Sequence, residues 1–266
     1  MFDSIAGDYD SLNHILSLDV DKIWRKKALK QIVDAPAPAR VLDLACGTGD
    51  FSIAIAKALS RSHKRVGTPI EAHVKAPAKA PVEAQVTSTG FVTGDSGRSD
   101  LMTKGHVTGV DLSEGMLAVM REKVGKAGLT EMISIEEGDG ENLRFPDNTF
   151  DRVTIAFGIR NFENREKGLR EMLRVLKPGG RLVILELSRP ENKVIRWFYD
   201  LYFLHILPKV GGKVSGDKAA YAYLPASVAA FPGKKAFMAT MREAGFRTVT
   251  HKAFTLGICR MYTGEK

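Results

Sequence analysis

The glycine pair Gly47 and Gly49 constrains the fold of this chain more than any other feature of its sequence. It follows an apolar run at 40–45, which predicts a strand, and it precedes small and apolar residues at 50–59, which favour a helix. Glycines at a strand-to-helix turn let the backbone bend sharply and approach a ligand closely. Because tight turns of this kind also occur without a ligand, the pair alone leaves an ordinary turn and a nucleotide site equally open.

An acidic residue further along the chain supports the nucleotide site. Asp111 ends the next predicted strand, 107–111, and lies 62 positions after Gly49, or 16 once the 46 residues at 60–105 are set aside. Nucleoside-binding folds place a carboxylate about 20 residues after the glycines, where it accepts hydrogen bonds from the ribose hydroxyls. A dinucleotide site would need a third glycine where this chain has Ser52, which counts against a dehydrogenase.

The segment at 60–105 differs in composition from the rest of the chain. It is rich in small, polar and turn-forming residues, among them the run APAKAP at 76–81. We therefore predict a flexible insertion between the first predicted helix and the second strand. The other 220 residues suit one domain, so residues 1–266 are expected to form a single domain. Seven basic and four acidic residues in the segment supply +3 of the net charge of +8.

The remaining strand-like and helix-like segments alternate. Further strands are predicted at 132–137, 150–157, 181–187, 247–253 and 256–262, and helices at 165–177 and 233–244, with Ser113 as a helix cap. Alternation of this kind predicts an α/β fold with a mostly parallel sheet and right-handed crossovers.

Composition and cysteine count indicate the cellular compartment of the protein. Cys46 and Cys259 lie too far apart for a zinc site and are too few for a disulfide framework, so we expect a reducing compartment and no metal. The mixed, acidic start of the chain does not resemble an export signal. The best membrane candidate, 197–207, is too short to span a bilayer. These features predict a cytoplasmic protein.

Three segments resemble the successive cofactor motifs of class I S-adenosylmethionine-dependent methyltransferases. They are VLDLACGTGD at 41–50, GVDLSEGML at 109–117 and GDGENLRFP at 138–146. More specific blocks, FPDNTFD at 145–151, AFGIRNF at 156–162 and REMLRVLKPGGRL at 170–182, resemble the ubiquinone/menaquinone biosynthesis C-methyltransferases, as do 1–10, 199–208 and 216–225. The resemblance covers nearly the whole chain outside 60–105. It implies a Rossmann-like fold with a seven-stranded, mostly parallel sheet and helices on both faces.

The resemblance also implies which residues bind the cofactor, S-adenosylmethionine. Asp111 would hold the ribose, the pair Asp139 and Gly140 the adenine, and Thr48 would contact the cofactor from the glycine turn. Gly140 stands where the family usually has alanine, which we expect to be a mild change. The other residues expected around the cofactor are Asp43, Gly47, Gly49 and Tyr9. Asp43 is suited to holding the loop or the cationic amino group of a ligand, and capping the helix is an equally good interpretation.

The chemistry implied by the resemblance is methylation of a ring carbon of a prenylated quinol, with demethylmenaquinol favoured over a benzoquinol. Removing the phenolic proton activates the ring carbon, so a general base or a cation beside the phenolate would help. The candidates are His205, Asp217, Tyr221 and Arg160. His205 lies among apolar residues and is also readily interpreted as structural, and both interpretations of Arg160 are equally open.

The aromatic stretch at 197–207 and the basic net charge indicate what the protein contacts. The aromatic stretch 197–207 offers a wall for an isoprenoid tail or forms an ordinary packed helix. With the basic charge it favours transient peripheral contact with the inner face of the cell membrane. The sequence leaves a homo-oligomer open.

Two other functions compete with quinol methylation. The pI near 9.4 suits a methyltransferase acting on RNA or DNA, or the fold could accept another small molecule. However, the chain lacks the Asn/Asp-Pro-Pro-aromatic motif of base methylation and a separate nucleic-acid module, so we expect no nucleic-acid partner. An interaction protein that keeps a nucleoside-binding fold, with 60–105 as its binding arm, is the second alternative.

Overall fold

The computed structural model describes residues 19–35, 39–66, 105–202 and 218–266. Within these ranges the helices are α1 (Val20–Ile32), α2 (Asp50–Val66), α3 (Glu114–Lys126), α4 (Arg165–Val175), α5 (Lys193–Leu201), α6 (Lys218–Ala230) and α7 (Lys234–Glu243). The strands are β1 (Arg40–Leu44), β2 (His106–Asp111), β3 (Ile133–Glu137), β4 (Phe150–Ala156), β5 (Leu176–Leu187), β6 (Arg247–Phe254) and β7 (Cys259–Glu265). Short 3-10 turns lie at Ile159–Asn161 and Thr255–Gly257.

The strands form one sheet in the order β3-β2-β1-β4-β5-β7-β6. The first five strands in this order pair in parallel, and β7 runs antiparallel between β5 and β6. The chain moves outward from β1 through β2 to β3 and then returns to the other side of β1 with β4. This reversal makes the carboxyl ends of β1 and β4 the topological switch point, where open α/β sheets bind ligands. The predicted seven-stranded, mostly parallel sheet is confirmed.

Alternate residues along the central strands face two separate cores. Val41 and Val183 pack with Trp24, Ile55 and Met120 from α1, α2 and α3. Their neighbours in sequence, Leu42 and Ile184, pack on the opposite face, where the helix partners are Leu169, Met172, Phe237 and Met241 from α4 and α7. Because both faces of the sheet are covered by helices, the central strands consist of nearly continuous runs of apolar residues. The predicted helices on both faces are confirmed.

The structure corrects the sequence-based boundaries at several points. Residues 60–66 continue α2, so the start of the segment at 60–105 is helical, while 67–104 lies outside the described residues. The helix expected over 165–177 ends at Val175, and the strand expected from Arg181 starts at Leu176. The sequence analysis did not identify α1 or α6, and both contribute to the site described below. The cap predicted at Ser113 is confirmed, since its hydroxyl accepts a hydrogen bond from the Met116 amide at 3.2 Å.

Candidate functional site

The carboxyl ends of β1 and β4 carry backbone conformations that are uncommon outside glycine. Ala45 and Phe157 adopt positive φ angles of 48° and 63°. Such strain persists only where the surrounding structure enforces it, and it concentrates at functional sites. Gly158 lets the two strand ends approach, because a Cβ atom there would lie 2.5 Å from that of Ala45. Two cavities meet here, and both are lined by Ala45, Gly47, Ala156 and Phe157.

The first cavity, about 460 Å³ in volume, runs along the ends of β1, β2 and β4 and is called here the nucleoside cavity. Asp111 lies on its wall, and its carboxylate accepts hydrogen bonds from the Gly47 amide at 2.8 Å and the Ser113 amide at 2.9 Å. The glycine turn and the end of β2 are thereby held together through one carboxylate. The two amides fix the orientation of Asp111 beside the cavity, as a ribose-binding carboxylate requires.

The far end of the nucleoside cavity is formed by Asp139, Gly140 and Phe162. Asp139 is exposed and accepts a hydrogen bond from the Glu141 amide at 2.8 Å. A Cβ atom on Gly140 would lie 2.6 Å from Cζ of Phe162, and one on Gly168 would lie 2.5 Å from the same ring. An alanine at position 140 would therefore require the phenylalanine ring to shift. The expectation that glycine is a mild change at this position stays a prediction.

Asp43 is a buried carboxylate that lines the second of the two cavities. Its side chain is 1% exposed, and the Ser52 hydroxyl donates a 2.6 Å hydrogen bond to its Oδ2. Its Oδ1 is buried and has no hydrogen-bond partner among the described residues. Burial raises the pKa of Asp43 to about 7, opposed by the Ser52 hydrogen bond and by the charge of Arg25. A donor from a bound ligand would satisfy the remaining oxygen and favour the ionised form.

Thr48 and Gly49 complete the glycine turn in different ways. Thr48 is buried, lines the second cavity, and its hydroxyl accepts a hydrogen bond from Lys123 at 3.3 Å. Gly49 has a φ of 83° and faces the protein interior, where a Cβ atom would lie 2.4 Å from Cγ of Met120. Gly49 is not among the described lining residues of the two cavities, and its missing side chain lets α3 pack against the turn. Its assignment to the cofactor stays a prediction.

The second cavity, about 440 Å³, is called here the acceptor cavity. Most of its wall is apolar and aromatic, formed by Trp24, Phe157, Leu187, Ile195, Phe198, Tyr199, Tyr202 and Leu224. The polar lining residues include Asp21, Arg25, Asp43, Thr48 and Asp50, among which Arg25 forms ion pairs with Asp21 and Asp50. This group is called here the polar end of the cavity. Arg25 was not predicted as a site residue, because it lies in no recognisable motif and reaches the site only through the packing of α1. Ser52 was noted only as the residue at the third glycine position, and its hydrogen bond to Asp43 was not predicted.

Arg160 also lines the acceptor cavity, but most of its donors are used within the protein. Its guanidinium forms a 3.0 Å ion pair with the fully buried Glu186, and it also donates to the Phe157 carbonyl and, at 3.3 Å, to the Ser227 hydroxyl. The next residue, Asn161, accepts a 2.9 Å hydrogen bond from Tyr223. These bonds fasten α6 to the end of β4 and give Arg160 a clear structural role.

Three other predicted site residues, Tyr9, His205 and Asp217, lie outside the described residues. Tyr221 lies within α6, and its side chain is not described. The structure therefore brings together Asp43, Gly47, Thr48, Asp111, Asp139, Gly140 and Arg160 around the two cavities.

The sheet order, the glycine turn and the carboxylate at the end of β2 define the fold of class I methyltransferases. Solved structures that share this fold include the following two. An S-adenosylmethionine-dependent methyltransferase from Aquifex aeolicus superposes with a TM-score of 0.54 at 19% identity, covering 90% of this chain and 88% of that one. Phosphoethanolamine N-methyltransferase 2 from Haemonchus contortus, in complex with S-adenosyl-L-methionine, superposes with a TM-score of 0.55 at 14% identity, covering 92% of this chain and 52% of that one.

Sequence comparison identifies the family. The model of the ubiE/COQ5 methyltransferase family matches residues 1–266, and the chain belongs to this family. A ubiquinone/menaquinone biosynthesis C-methyltransferase UbiE from Geobacter sulfurreducens is 43% identical over 266 residues, covering all of this chain and 87% of the relative. A demethylmenaquinone methyltransferase from Bacteroides fragilis is 39% identical, covering all of this chain and 91% of the relative.

Proposed function

We propose that this chain transfers a methyl group from S-adenosylmethionine to a ring carbon of a prenylated quinol, converting demethylmenaquinol to menaquinol. The observation that carries the proposal is the junction of a polar nucleoside cavity with an aromatic acceptor cavity at the strained ends of β1 and β4. Relatives named for this reaction align with the whole chain, which supports the same assignment.

The nucleoside cavity fits the cofactor in its charges and its shape. In this cavity Asp111 is positioned for the ribose, and the absence of a side chain at Gly140 leaves Phe162 and Asp139 to form the adenine end. The unpartnered Oδ1 of Asp43, which lines the acceptor cavity, suits the ammonium group. The bound cofactor supplies an already activated methyl group for in-line displacement. The protein therefore has to align the acceptor and exclude water.

The acceptor cavity suits a ring that carries a long apolar tail. Its aromatic walls accept flat rings, and the apolar contacts on α5 continue outward from the cavity. Arg160 stays positively charged, so it serves this reaction as a cation near the developing phenolate and as the anchor of α6, rather than as a base. In the transfer step the ring carbon forms the new bond to the methyl group, and the bond from the methyl carbon to sulfur breaks with its electron pair remaining on sulfur. The ring carbon then loses its proton to solvent water, which restores the aromatic ring as a phenolate.

His205, Asp217 and Tyr221 are our proposed candidates for the group that takes the phenolic proton. The variants His205→Gln, Asp217→Asn and Tyr221→Phe should separate them. The base is the residue whose replacement lowers the methyl-transfer rate and shifts its pH profile while cofactor affinity stays unchanged. A candidate whose replacement leaves the pH profile unchanged is not the base.

Mass spectrometry of quinones tests the reaction itself. The full-length protein, incubated with S-adenosylmethionine and reduced demethylmenaquinone in detergent, should convert it to a product heavier by one methylene group. A prenylated benzoquinol and total RNA serve as parallel acceptors, and Asp111→Asn is the inactive control. Cofactor binding without quinol methylation would defeat the proposal, and methylation of RNA alone would establish the competing function.

We further propose that the protein meets its substrate at an anionic membrane surface, on the inner face of the cell membrane. No helix among the described residues is long and apolar enough to cross a bilayer. The exposed patch consists of Val194, Trp197, Phe198 and Leu201 on α5 together with Leu256 in the 3-10 turn before β7. Phe198 and Leu256 also line the acceptor cavity, so the apolar surface is continuous from the exterior into it. The basic residues Lys193 and Arg196 lie on the same helix, and the chain carries a net charge of +8.

Vesicle flotation tests this contact. Vesicles containing anionic lipid should retain the protein at low salt better than neutral vesicles, and Trp197→Ser should weaken retention. Ile23→Ser on α1, where the isoleucine is 53% exposed, is the matched control and should change nothing. Equal flotation with both kinds of vesicle would contradict the proposal. If the patch instead joins two copies of the chain, Trp197→Ser would alter the sedimentation of the free protein and not its flotation.

A further inference from the structure

The polar end of the acceptor cavity contains an arginine to which no motif points. Arg25 projects from α1 into the cavity beside Asp43, Thr48 and Asp50, three residues of the glycine turn and its flanks. We propose that Arg25 binds the carboxylate of the methionyl group of the cofactor and so fixes that end of the ligand. The inference rests on the proposed function, because it assumes that the ligand of the glycine turn is an amino-acid-bearing nucleoside.

The position of Arg25 is rigidly determined by the helix that carries it. The preceding residue, Trp24, is 4% exposed, packs in the core of the sheet, and donates a 2.9 Å hydrogen bond from its indole to the Thr255 hydroxyl. The guanidinium of Arg25 lies 5.7 Å from the ring centroid of Phe157, the strained residue at the end of β4. Arg25 is therefore held above the junction of the two cavities by contacts on both sides.

The hydrogen-bonding capacity of Arg25 is largely unused. A guanidinium has five N–H donors. Nη1 donates to Asp50 at 3.3 Å, Nη2 lies 3.6 Å from Asp21, beyond hydrogen-bond distance, and Nε is buried with no partner in the described part of the chain. The other arginine that lines this cavity, Arg160, is already bound to Glu186, Ser227 and the backbone. Among the described cationic residues of the cavity, Arg25 has the greater capacity for a new anionic oxygen.

The groups around Arg25 complement the two charges of an amino acid. Asp43, with one buried oxygen unpartnered, suits an ammonium group, and Arg25 suits the carboxylate attached to the same carbon. The charge of Arg25 acts on Asp43 across the cavity, where it partly offsets the effect of burial. A ligand that brings both charges would pair each of these groups with an opposite one, whereas a neutral ligand would leave both without new partners.

The phenolate of the quinol is the other anionic oxygen that could reach this cavity. The carboxylate is favoured because Arg25 pairs with Asp50 beside the glycine turn and acts on Asp43, the group that suits the ammonium of the same ligand, although Phe157 of the aromatic wall also lies 5.7 Å from its guanidinium. The two sources can be distinguished by nucleoside affinity measured without any quinol. Replacing Arg25 should weaken that affinity if Arg25 binds the carboxylate, and should leave it unchanged if Arg25 binds the phenolate.

Calorimetry with two nucleosides tests the inference independently of catalysis. S-adenosylhomocysteine carries the carboxylate, and the matched analogue carries an aminopropyl group in place of the amino acid and so lacks only the carboxylate. Arg25→Gln should weaken binding of S-adenosylhomocysteine by roughly tenfold to a hundredfold and change binding of the analogue by less than about twofold. Arg25→Lys should keep part of the affinity, because it retains the charge without the bidentate geometry. Lys26→Ala, at the exposed neighbouring position of α1, should alter neither affinity.

Two outcomes would overturn the assignment. Equal losses for both nucleosides would mean that Arg25 shapes the cavity without contacting the carboxylate. Unchanged affinities together with lost quinol methylation would assign Arg25 to the phenolate. If Arg25→Gln does not fold, the Arg25→Lys variant is used instead, and its loss of affinity for S-adenosylhomocysteine is compared with its loss for the analogue. Failure of the proposed function is distinct, because wild-type protein would then bind S-adenosylhomocysteine and discriminate the analogue without methylating any quinol.

Discussion

Replacing Asp43 with asparagine should make the ligand-free protein more stable at neutral and alkaline pH while weakening cofactor binding. Asp43 is 1% exposed, and the hydroxyl of Ser52 donates a hydrogen bond to its carboxylate. Burial disfavours its ionised form and raises its pKa from 3.8 to about 7. The protein therefore keeps a carboxylate where the empty site is better suited to a neutral group, as stability–function trade-offs at active sites often require.

The magnitude follows from the difference in pKa between the folded and unfolded states. The unfolded carboxyl group ionises near 3.8 and the folded one near 7, so the folded state binds more protons between these values and wild-type stability falls as the pH rises through that window. At about 1.4 kcal/mol per pKa unit, the penalty grows by roughly 3 kcal/mol between pH 5 and pH 8. Asparagine does not titrate, so the stability advantage of Asp43→Asn should increase by that amount over this range.

Urea denaturation of the ligand-free proteins at several pH values measures this difference directly. Comparing wild type with Asp43→Asn cancels the other titrating groups, provided that the slopes of the transitions agree. Calorimetry at pH 8 should show that the variant has lost at least tenfold in cofactor affinity, because the ionised oxygen opposite the ammonium is gone. A stability difference that does not vary between pH 5 and pH 8 would refute the claim that ionisation of buried Asp43 destabilises the ligand-free protein.

Three further changes have definite expected outcomes. Ser52→Ala removes the hydrogen bond that favours ionised Asp43, so the pH below which cofactor affinity declines should move upward from about 7 in calorimetric titrations. Glu186→Gln leaves the buried charge of Arg160 without its carboxylate and should lower the free energy of unfolding by about 3 kcal/mol in urea; a loss below about 1 kcal/mol would be typical of an exposed pair instead. Gly140→Ala forces the neighbouring phenylalanine ring to move and should cost about 1–3 kcal/mol in thermal unfolding, with weaker nucleoside binding; an unchanged transition would show that the ring moves freely.

The predicted sheet and most of the predicted strands are confirmed, because their signals are local. The strand expected over 256–262 instead begins at Cys259, after the 3-10 turn Thr255–Gly257, and ends at Glu265. Short apolar runs ended by glycine or acidic residues correspond to β1, β2 and β4, and the helix stop at Pro178 was misplaced by only two residues. By contrast, α1 was not identified. Its core contacts, Trp24, Ala28 and Ile32, are four residues apart, and most of the residues between them are polar. The apolar stripe is therefore narrow, and a narrow stripe is a weak helix signal in a sequence.

The candidate site was predicted in part for the same reason. The motifs placed Asp43, Gly47 and Asp111 correctly at the ends of β1 and β2. Arg160 was identified, but its ion pair with Glu186 was not, since the two residues are 26 positions apart and meet only where β4 and β5 pair. The assignments of Tyr9, His205 and Asp217 stay predictions.

Local backbone chemistry can be read along the chain. Glycine at positive φ, apolar alternation and a carboxylate after a strand each depend on a few neighbouring residues, and together they specify the fold and the position of the nucleoside cavity. Burial and electrostatic interactions cannot be predicted from neighbouring residues in this way. The raised pKa of Asp43, the partnership of Ser52 and the approach of Arg25 depend on α1 and α2 packing over the end of β1, and the collision at Gly140 depends on Phe162 folding back beside it. Electrostatic energies in a protein depend on what surrounds a group in three dimensions, so these properties emerged only when the helices were in place.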